Sequence, residues 1–537
     1  MANRQAFSRS SGLRILAATL FAVYAIQSIA ATTTYTGPWG GGTIAPGDVV
    51  VLNNGASVTG NVVTNGTLQF NQSAPSLLTI SSTISGTGTL SLANTGTLNL
   101  TGTSDVENTV VLDLTTTTSA GLLQILYGNG LLSVGLIGTG KLNVTGGSVT
   151  SAGGSLGGFA GSFGTATVSS GTWANSSELL VGNSGTGTLD VTGGSVTNLI
   201  GYLGYQVGSV GTATVSSGTW DNLFLVVGGS GTGTLNVTGG SVNNLSGSLG
   251  YYAGSRGTAT VSSGTWENSK LNVGYSGTGT LDVTGGLVTN TDGYLGFTAG
   301  SVGTATVSGG TWANSGDLTV GVLGTGTLTM SGGLVTVDGT LSEGAYGTIN
   351  LNSGGSLQIG TGGATGVLGT NLTNNGTLIF DRSNASTYSG VLSGSGAFMK
   401  LGSGALTLSG SNAFTGSTSV QQGVLVITDS AATSSSPLVS LASGAGFDVS
   451  SLSSGYTVSS GQTLTGAGTV LGSVTFGRGS TLSPGMLSTA SGASMVAADM
   501  QAGALQALVV PEPATLGLVG VGLGFLGLGT LRRKRVA

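Results

Sequence analysis

The five residues "GGSLG" (153–157) have the G-x-S-x-G spacing that can present a serine for nucleophilic attack. That chemistry needs a base beside the hydroxyl, and the 537-residue chain has no His, so Ser155 has no imidazole and a Ser-His-Asp triad is impossible. With 103 Gly, chance matches of this kind are expected. "GLGFLG" (522–527) has the G-x-G-x-x-G spacing of a phosphate-cradling loop, but it lies inside an apolar run rather than after a strand. No Cys is present, which removes thiolate metal sites and disulfides, and His, the commonest metal ligand, is missing too. Asp190 and Asp282 lack the Gly/Asp nonapeptides of calcium sites and read as surface charges. No catalytic, cofactor or metal residue is assigned, and the chain reads as a non-enzyme.

What remains is the chemistry of the two ends. At the C-terminus Pro511, Glu512 and Pro513 precede an uncharged run from Ala514 to Leu531, and Arg532, Arg533, Lys534 and Arg535 follow it. Eighteen residues as a helix span about 27 Å, close to the hydrocarbon core of a bilayer. The basic cluster then stays cytoplasmic and stops transfer. The two prolines keep the segment before the span extended, as a protease site requires. A permanent C-terminal anchor is the alternative.

At the N-terminus, Arg4, Arg9 and Arg14 precede the apolar "ILAATLFAVYAI" (15–26), with Ser28 and Ala30 at the small-residue positions of a cleavage site. Residues 1–30 therefore read as an export signal, with a retained anchor as the alternative. Between Ala31 and Val510 only six basic residues stand against seventeen acidic ones, a formal charge of −11. No basic patch exists for a nucleic acid, and that partner is excluded.

The body between these ends is a repeat. "GTATVSSGTW" recurs with Trp173, Trp220, Trp266 and Trp312 at steps of 47, 46 and 46 residues. "GTGTLDVTGGSV" and its variants alternate with it, placing Val196, Val242 and Val288 where the other half has Trp. Each half of 22–24 residues is too short for a domain and suits one turn of a β-solenoid. Within a half, short period-2 runs are separated by Gly-rich turns, and helix spacing is missing. The expected fold is all-β: a long right-handed parallel β-helix of about twenty coils, with a C-terminal transmembrane helix.

Stacked coils align equivalent residues about 4.8 Å apart. Asn175, Asn198, Asn222, Asn244, Asn268, Asn290 and Asn314 form one such column, two positions after each Trp or Val. It reads as an amide ladder inside a corner, with a sugar-binding row as the alternative. The Trp/Val column is either a packed interior column or an outward one that stacks on sugars. Thr165, Thr188, Thr212 and their successors read as a solvated face, not the flat Thr array of an ice-binding surface.

The expected divisions are a signal peptide at 1–30, N-terminal coils at 31–130, regular two-coil repeats at 131–337, C-terminal coils at 338–484, a tether at 485–510 and a tail at 511–537.

Three resemblances follow from these residues. "GTATVSSGTWxNSxxLxVGxSGTGTLxVTGGSV" resembles the repeat of autotransporter passengers and PEP-CTERM proteins, and 394–425 resembles the autotransporter-associated β-strand repeat. The tail resembles a PEP-CTERM sorting signal. That resemblance implies an exosortase-type membrane processing enzyme acting at the motif Pro511, Glu512, Pro513 and Arg532 to Arg535. It also implies a Gram-negative bacterium that makes exopolysaccharide, with an inner-membrane intermediate followed by the cell surface or extracellular matrix. The implied role is structural or adhesive. Exopolysaccharide binding is the alternative, and a polysaccharide lyase is disfavoured because no coil clusters carboxylates with Arg or Lys.

Overall fold

The computed structural model describes residues 31–497, except for short stretches within 72–130, 430–434 and 485–493. The signal segment, its Ser28 and Ala30, and the whole tail with its expected helix and sorting residues lie outside the described residues. Among the described residues no helix is long and apolar enough to cross a membrane, and the regular structure is β-strand.

The chain winds as a β-solenoid of about 18 turns with coils of about 22 residues. Because every turn runs the same way, equivalent segments of successive coils meet in parallel, as in Thr186–Leu203 on Val210–Val227 and Val210–Val227 on Thr232–Leu249. Coil length alternates between 24 and 22 residues: Thr188 pairs with Thr212, Thr212 with Thr234, and Thr234 with Thr258. One turn absorbs the difference. It is long at 204–209, "GYQVGS", and short at 228–231, "GGSG".

Gly228 shows why the corner needs glycine. Its φ is +75°, and a Cβ there would stand 2.2 Å from the carbonyl oxygen of Arg256 in the next coil.

Inside, three columns alternate together. Ala213, Trp220 and Leu225 belong to one coil, and Leu189, Val196 and Gly201 to its neighbour. Each of these apolar side chains is fully buried. A coil with the large indole thus has the small Ala seven residues before it, and a coil with Val has Leu. Gly201 completes the fit: a Cβ on it would lie 3.0 Å from the benzo ring of Trp220 and 2.6 Å from Asn222 Oδ1. The indole therefore leans back into the preceding coil, and that coil is hollowed to receive it. Volume is conserved over pairs of coils, as a close-packed core requires.

The coils also continue past Pro484, where the tether was expected to begin. Ser488–Thr489 and Ser494–Ala497 pair in parallel with Thr469–Leu471 and Ser473–Phe476. Met495 pairs with Val474, and Ala497 with Phe476. Residues 498–510 lie outside the described residues.

Candidate functional site

The Asn column sits at the corner after the Trp/Val strand. Asn175, Asn198, Asn244, Asn268, Asn290 and Asn314 are buried, while Asn222 is half-buried. Their hydrogen bonds run in pairs rather than as one continuous ladder. Asn198 Nδ2 donates to Asn222 Oδ1 at 2.5 Å, Asn244 to Asn268 at 2.5 Å, and Asn290 to Asn314 at 2.6 Å. The first carbonyl of each pair accepts from an indole: Trp220 Nε1 to Asn198 at 2.8 Å, Trp266 to Asn244 at 2.9 Å and Trp312 to Asn290 at 2.6 Å. The Trp column thus faces inward, and its N–H groups interrupt the ladder. Nδ2 of Asn222 and of Asn268 has no hydrogen-bond partner at the junction to the next pair.

The first unit departs from this pattern in an informative way. Ser151 stands where later units have Asn, and its hydroxyl donates to Asn175 Oδ1 at 2.6 Å. It does not reach the indole, so Trp173 Nε1 is buried without a partner. Gly154 already provides the same hollow, since a Cβ there would lie 2.8 Å from Trp173. Ser151→Asn is therefore expected to stabilise the first unit by about 1 kcal/mol by satisfying one buried donor. Slower hydrogen exchange in coils 142–181 would record the gain, and unchanged or faster exchange would contradict it.

On the outer surface a column of aromatic residues follows the Gly corner. Tyr251 stacks on Tyr275 with centroids 4.9 Å apart, and Tyr275 on Phe297 at 5.1 Å. Tyr202 packs edge-on to Tyr205, Tyr252 to Tyr251 and Tyr294 to Phe297. Lys270 lies over the Tyr294 and Phe297 rings at 4.7 and 4.8 Å, a cation–π contact. Burial first, and then the neighbouring phenols of Tyr205 and Tyr252, Glu178 and Tyr251, raise the pKa of Tyr202. It therefore remains a neutral hydrogen-bond donor.

Of the two stretches with catalytic spacing, 522–527 lies outside the described residues. Ser155 lies within the strand Gly153–Leu156, and its buried Oγ has no hydrogen-bond partner. Among the described residues no group of three or more carboxylates converges for a metal. Asp190 and Asp282 are half-buried, and burial raises their pKa, opposed by Lys141 and by a hydrogen bond from Thr306 respectively. A shallow groove of about 350 Å³ follows the outside of the Asn corner past Ser269, Thr291 and Ser315, with Glu267 and Asp338 in its walls. Its lining mixes hydroxyls and amides with these two carboxylates.

Lys400 is the buried cation of the C-terminal coils, only 2% exposed. Its Nζ donates to the carbonyls of Gly402 and, at 3.2 Å, Gln422. Burial lowers its pKa to about 8, against the opposing pull of Asp381. The folded value lies below the unfolded one, so the folded state loses its proton first. Stability should rise between about pH 8 and pH 10, by about 1–3 kcal/mol. Burial raises the pKa of Tyr388 and Tyr456, whose opposing contribution begins only above their ordinary value near 10. Urea titrations across this window should show the rise in the native chain and not in Lys400→Met; equal slopes would exclude it.

A long stacked rod with paired indole–amide corners defines a β-solenoid repeat protein. Two family models match it: the passenger-associated-transport-repeat at residues 399–427 and the PEP-CTERM protein-sorting motif at residues 509–535. The chain therefore carries a sorting motif beyond its last described coil, and that motif implies processing by an exosortase-type membrane enzyme. Together the two matches indicate export, with a surface or extracellular destination. No curated protein and no solved structure matches the chain.

Proposed function

We propose that the chain is a non-enzymatic structural or adhesive rod of a Gram-negative cell surface or extracellular matrix. In this reading residues 1–30 direct export, and Ser28 and Ala30 mark the cut. The apolar span then holds an inner-membrane intermediate, and processing near Pro511-Glu512-Pro513 releases the solenoid outward. The observation that carries the reading is the sorting motif at 509–535 on the end of a continuous solenoid. A rod suits this role because each coil touches only its neighbours, so length is gained by repetition and side chains are displayed at regular intervals.

Mass spectrometry of the C-terminal peptide from fractionated cells tests the proposal. Surface-located protein should lack Arg532 to Arg535. An intact basic end on surface protein would leave a permanent anchor instead. A second reading, binding of exopolysaccharide along the rod, is supported by the outward aromatic column.

A further inference from the structure

Just past the Asn corner the outer surface changes character for three coils. Glu178, Ile200, Phe224, Ser246 and Lys270 pair in that order across five successive coils. Ser177, Leu199, Leu223, Leu245 and Ser269 directly precede them. Leu199, Leu223, Phe224 and Leu245 are exposed, and Ile200 is half-buried. Contiguous apolar residues rimmed by polar ones mark a contact surface.

Both columns are organised about the coil of Leu223 and Phe224. One coil away on either side stands another exposed leucine, and two coils away a serine. At that same distance the second column carries opposite charges, Glu178 on one side and Lys270 on the other. Among the described residues neither makes an ion pair. The Lys270 Nζ lies over the Tyr294 and Phe297 rings rather than on Asp292, its neighbour in the next coil.

We propose that this patch pairs two copies of the chain in antiparallel fashion, about a two-fold axis that runs along the coil of Leu223 and Phe224. Such an axis reverses the order of coils and lays each column on its own copy. Leu223 then meets Leu223, and Leu199 meets Leu245. Two coils out, Glu178 of each copy stands opposite Lys270 of the other, on both sides of the apolar centre. Asp292, one coil beyond Lys270, falls level with Gly153 and meets no like charge. A parallel pairing would instead set Glu178 against Glu178 and Lys270 against Lys270. Leucine burial supplies the attraction. The charges set the direction, because exposed ion pairs add little affinity whereas like charges in contact cost much. The contact spans roughly 19 Å of axis, a small interface, so association belongs at micromolar concentration. Rods standing on one surface by their C-termini run the same way, so on the adhesive reading above the two copies come from facing surfaces. That step rests on the proposed anchoring; the pairing itself does not.

Sedimentation velocity and carbodiimide cross-linking of the full-length chain in a mild detergent test the pairing. The native chain should dimerise and yield a Glu178–Lys270 cross-link. Within one chain four coil steps separate these residues, too far for a zero-length link, so the link must join two copies. Leu199→Ser, Leu223→Ser and Leu245→Ser together repeat the serines at 177 and 269, and should weaken dimerisation at least about tenfold with circular dichroism unchanged. Glu178→Lys and Lys270→Glu should each weaken it similarly, and the two combined should restore it. A native chain that stays monomeric, including one whose leucines hold cellohexaose instead, overturns the interface. So does dimerisation that the serine variant leaves intact. Charge reversals without effect, or a swap that fails to restore pairing, overturn the antiparallel order and the proposal with it. C-terminal processing is measured separately, so loss of the pairing leaves the exported rod in place.

Discussion

Deletion of residues 204–249 is expected to shorten the rod while leaving its coils folded. The cut removes 46 residues and joins Leu203 to Gly250, a junction of the same kind as the native Leu203–Gly204. It takes out a Trp coil and the Val coil after it. The hollow at Gly201 then receives Trp266 in place of Trp220, and Asn198 can accept from that indole. Two other deletions separate register from volume. Removing 204–227, one coil of 24 residues, keeps register but sets the Val196 coil beside the Val242 coil. No indole then enters the hollow of Gly201, and the loss should resemble truncation of a buried Trp, about 3–5 kcal/mol within those coils. Removing Gly228 to Ser269, 42 residues, fuses Val227 to Lys270 and delays the next corner glycine by four positions, so side chains reach the wrong stations around the coil. Protease resistance and circular dichroism per residue should therefore rank the 46-residue deletion nearest the native chain, the 24-residue deletion next and the 42-residue deletion last. Equal behaviour of the first two would show that the two-coil unit has no packing identity.

The coil was legible in the sequence because its constraint is repeated many times. Period-2 runs and corner glycines recur at a fixed step, and each copy independently restricts the winding. The Asn column was legible for the same reason. Its pairing was not, because that depends on where the indole N–H points, and Trp220 Nε1 reaches back 22 residues to Asn198. A sequence signal for the inward Trp did exist. Ala166, Ala213, Ala259 and Ala305 accompany the four Trp, while Leu189, Leu235 and Leu281 accompany Val, a volume exchange that only a shared interior requires. The stacking of Tyr251, Tyr275 and Phe297 from coil to coil was not legible, because the turns are unequal: Tyr251 lies in a long turn and Tyr275 in a short one, so no single period aligns them. Lys400 follows Phe398 at the inward parity of its strand and was readable as buried on that ground. The sorting residues depend on order along the chain rather than on packing, so the sequence alone carries them.

Asn244→Leu is expected to cost more than any change on the outer Thr column, and Trp266 should be coupled to it. The Asn244 amide serves two neighbours, donating to Asn268 Oδ1 and accepting from Trp266 Nε1. Leucine can do neither, so two buried groups lose their partners at about 1–3 kcal/mol each. Trp266→Phe leaves one orphan, the Asn244 carbonyl, and adds a small void beside Gly247, whose Cβ would lie 3.0 Å from the indole. In the double variant the Trp–Asn contact is absent from both sides, and only Asn268 remains deprived. Its cost should therefore fall short of the sum of the single costs by about 1–3 kcal/mol, as expected for residues in direct contact. Thr234→Ser, on the half-buried outer face earlier in the same strand, should lie within about 0.5 kcal/mol of the native chain. A long solenoid does not unfold in one step, so the measurement belongs in the affected coils. Amide exchange over residues 235–273 should accelerate about tenfold for each 1.4 kcal/mol lost, while coils beyond Val337 stay protected. Additive costs for Asn244→Leu and Trp266→Phe would mean that the indole and the amide stand side by side without sharing a hydrogen bond worth keeping.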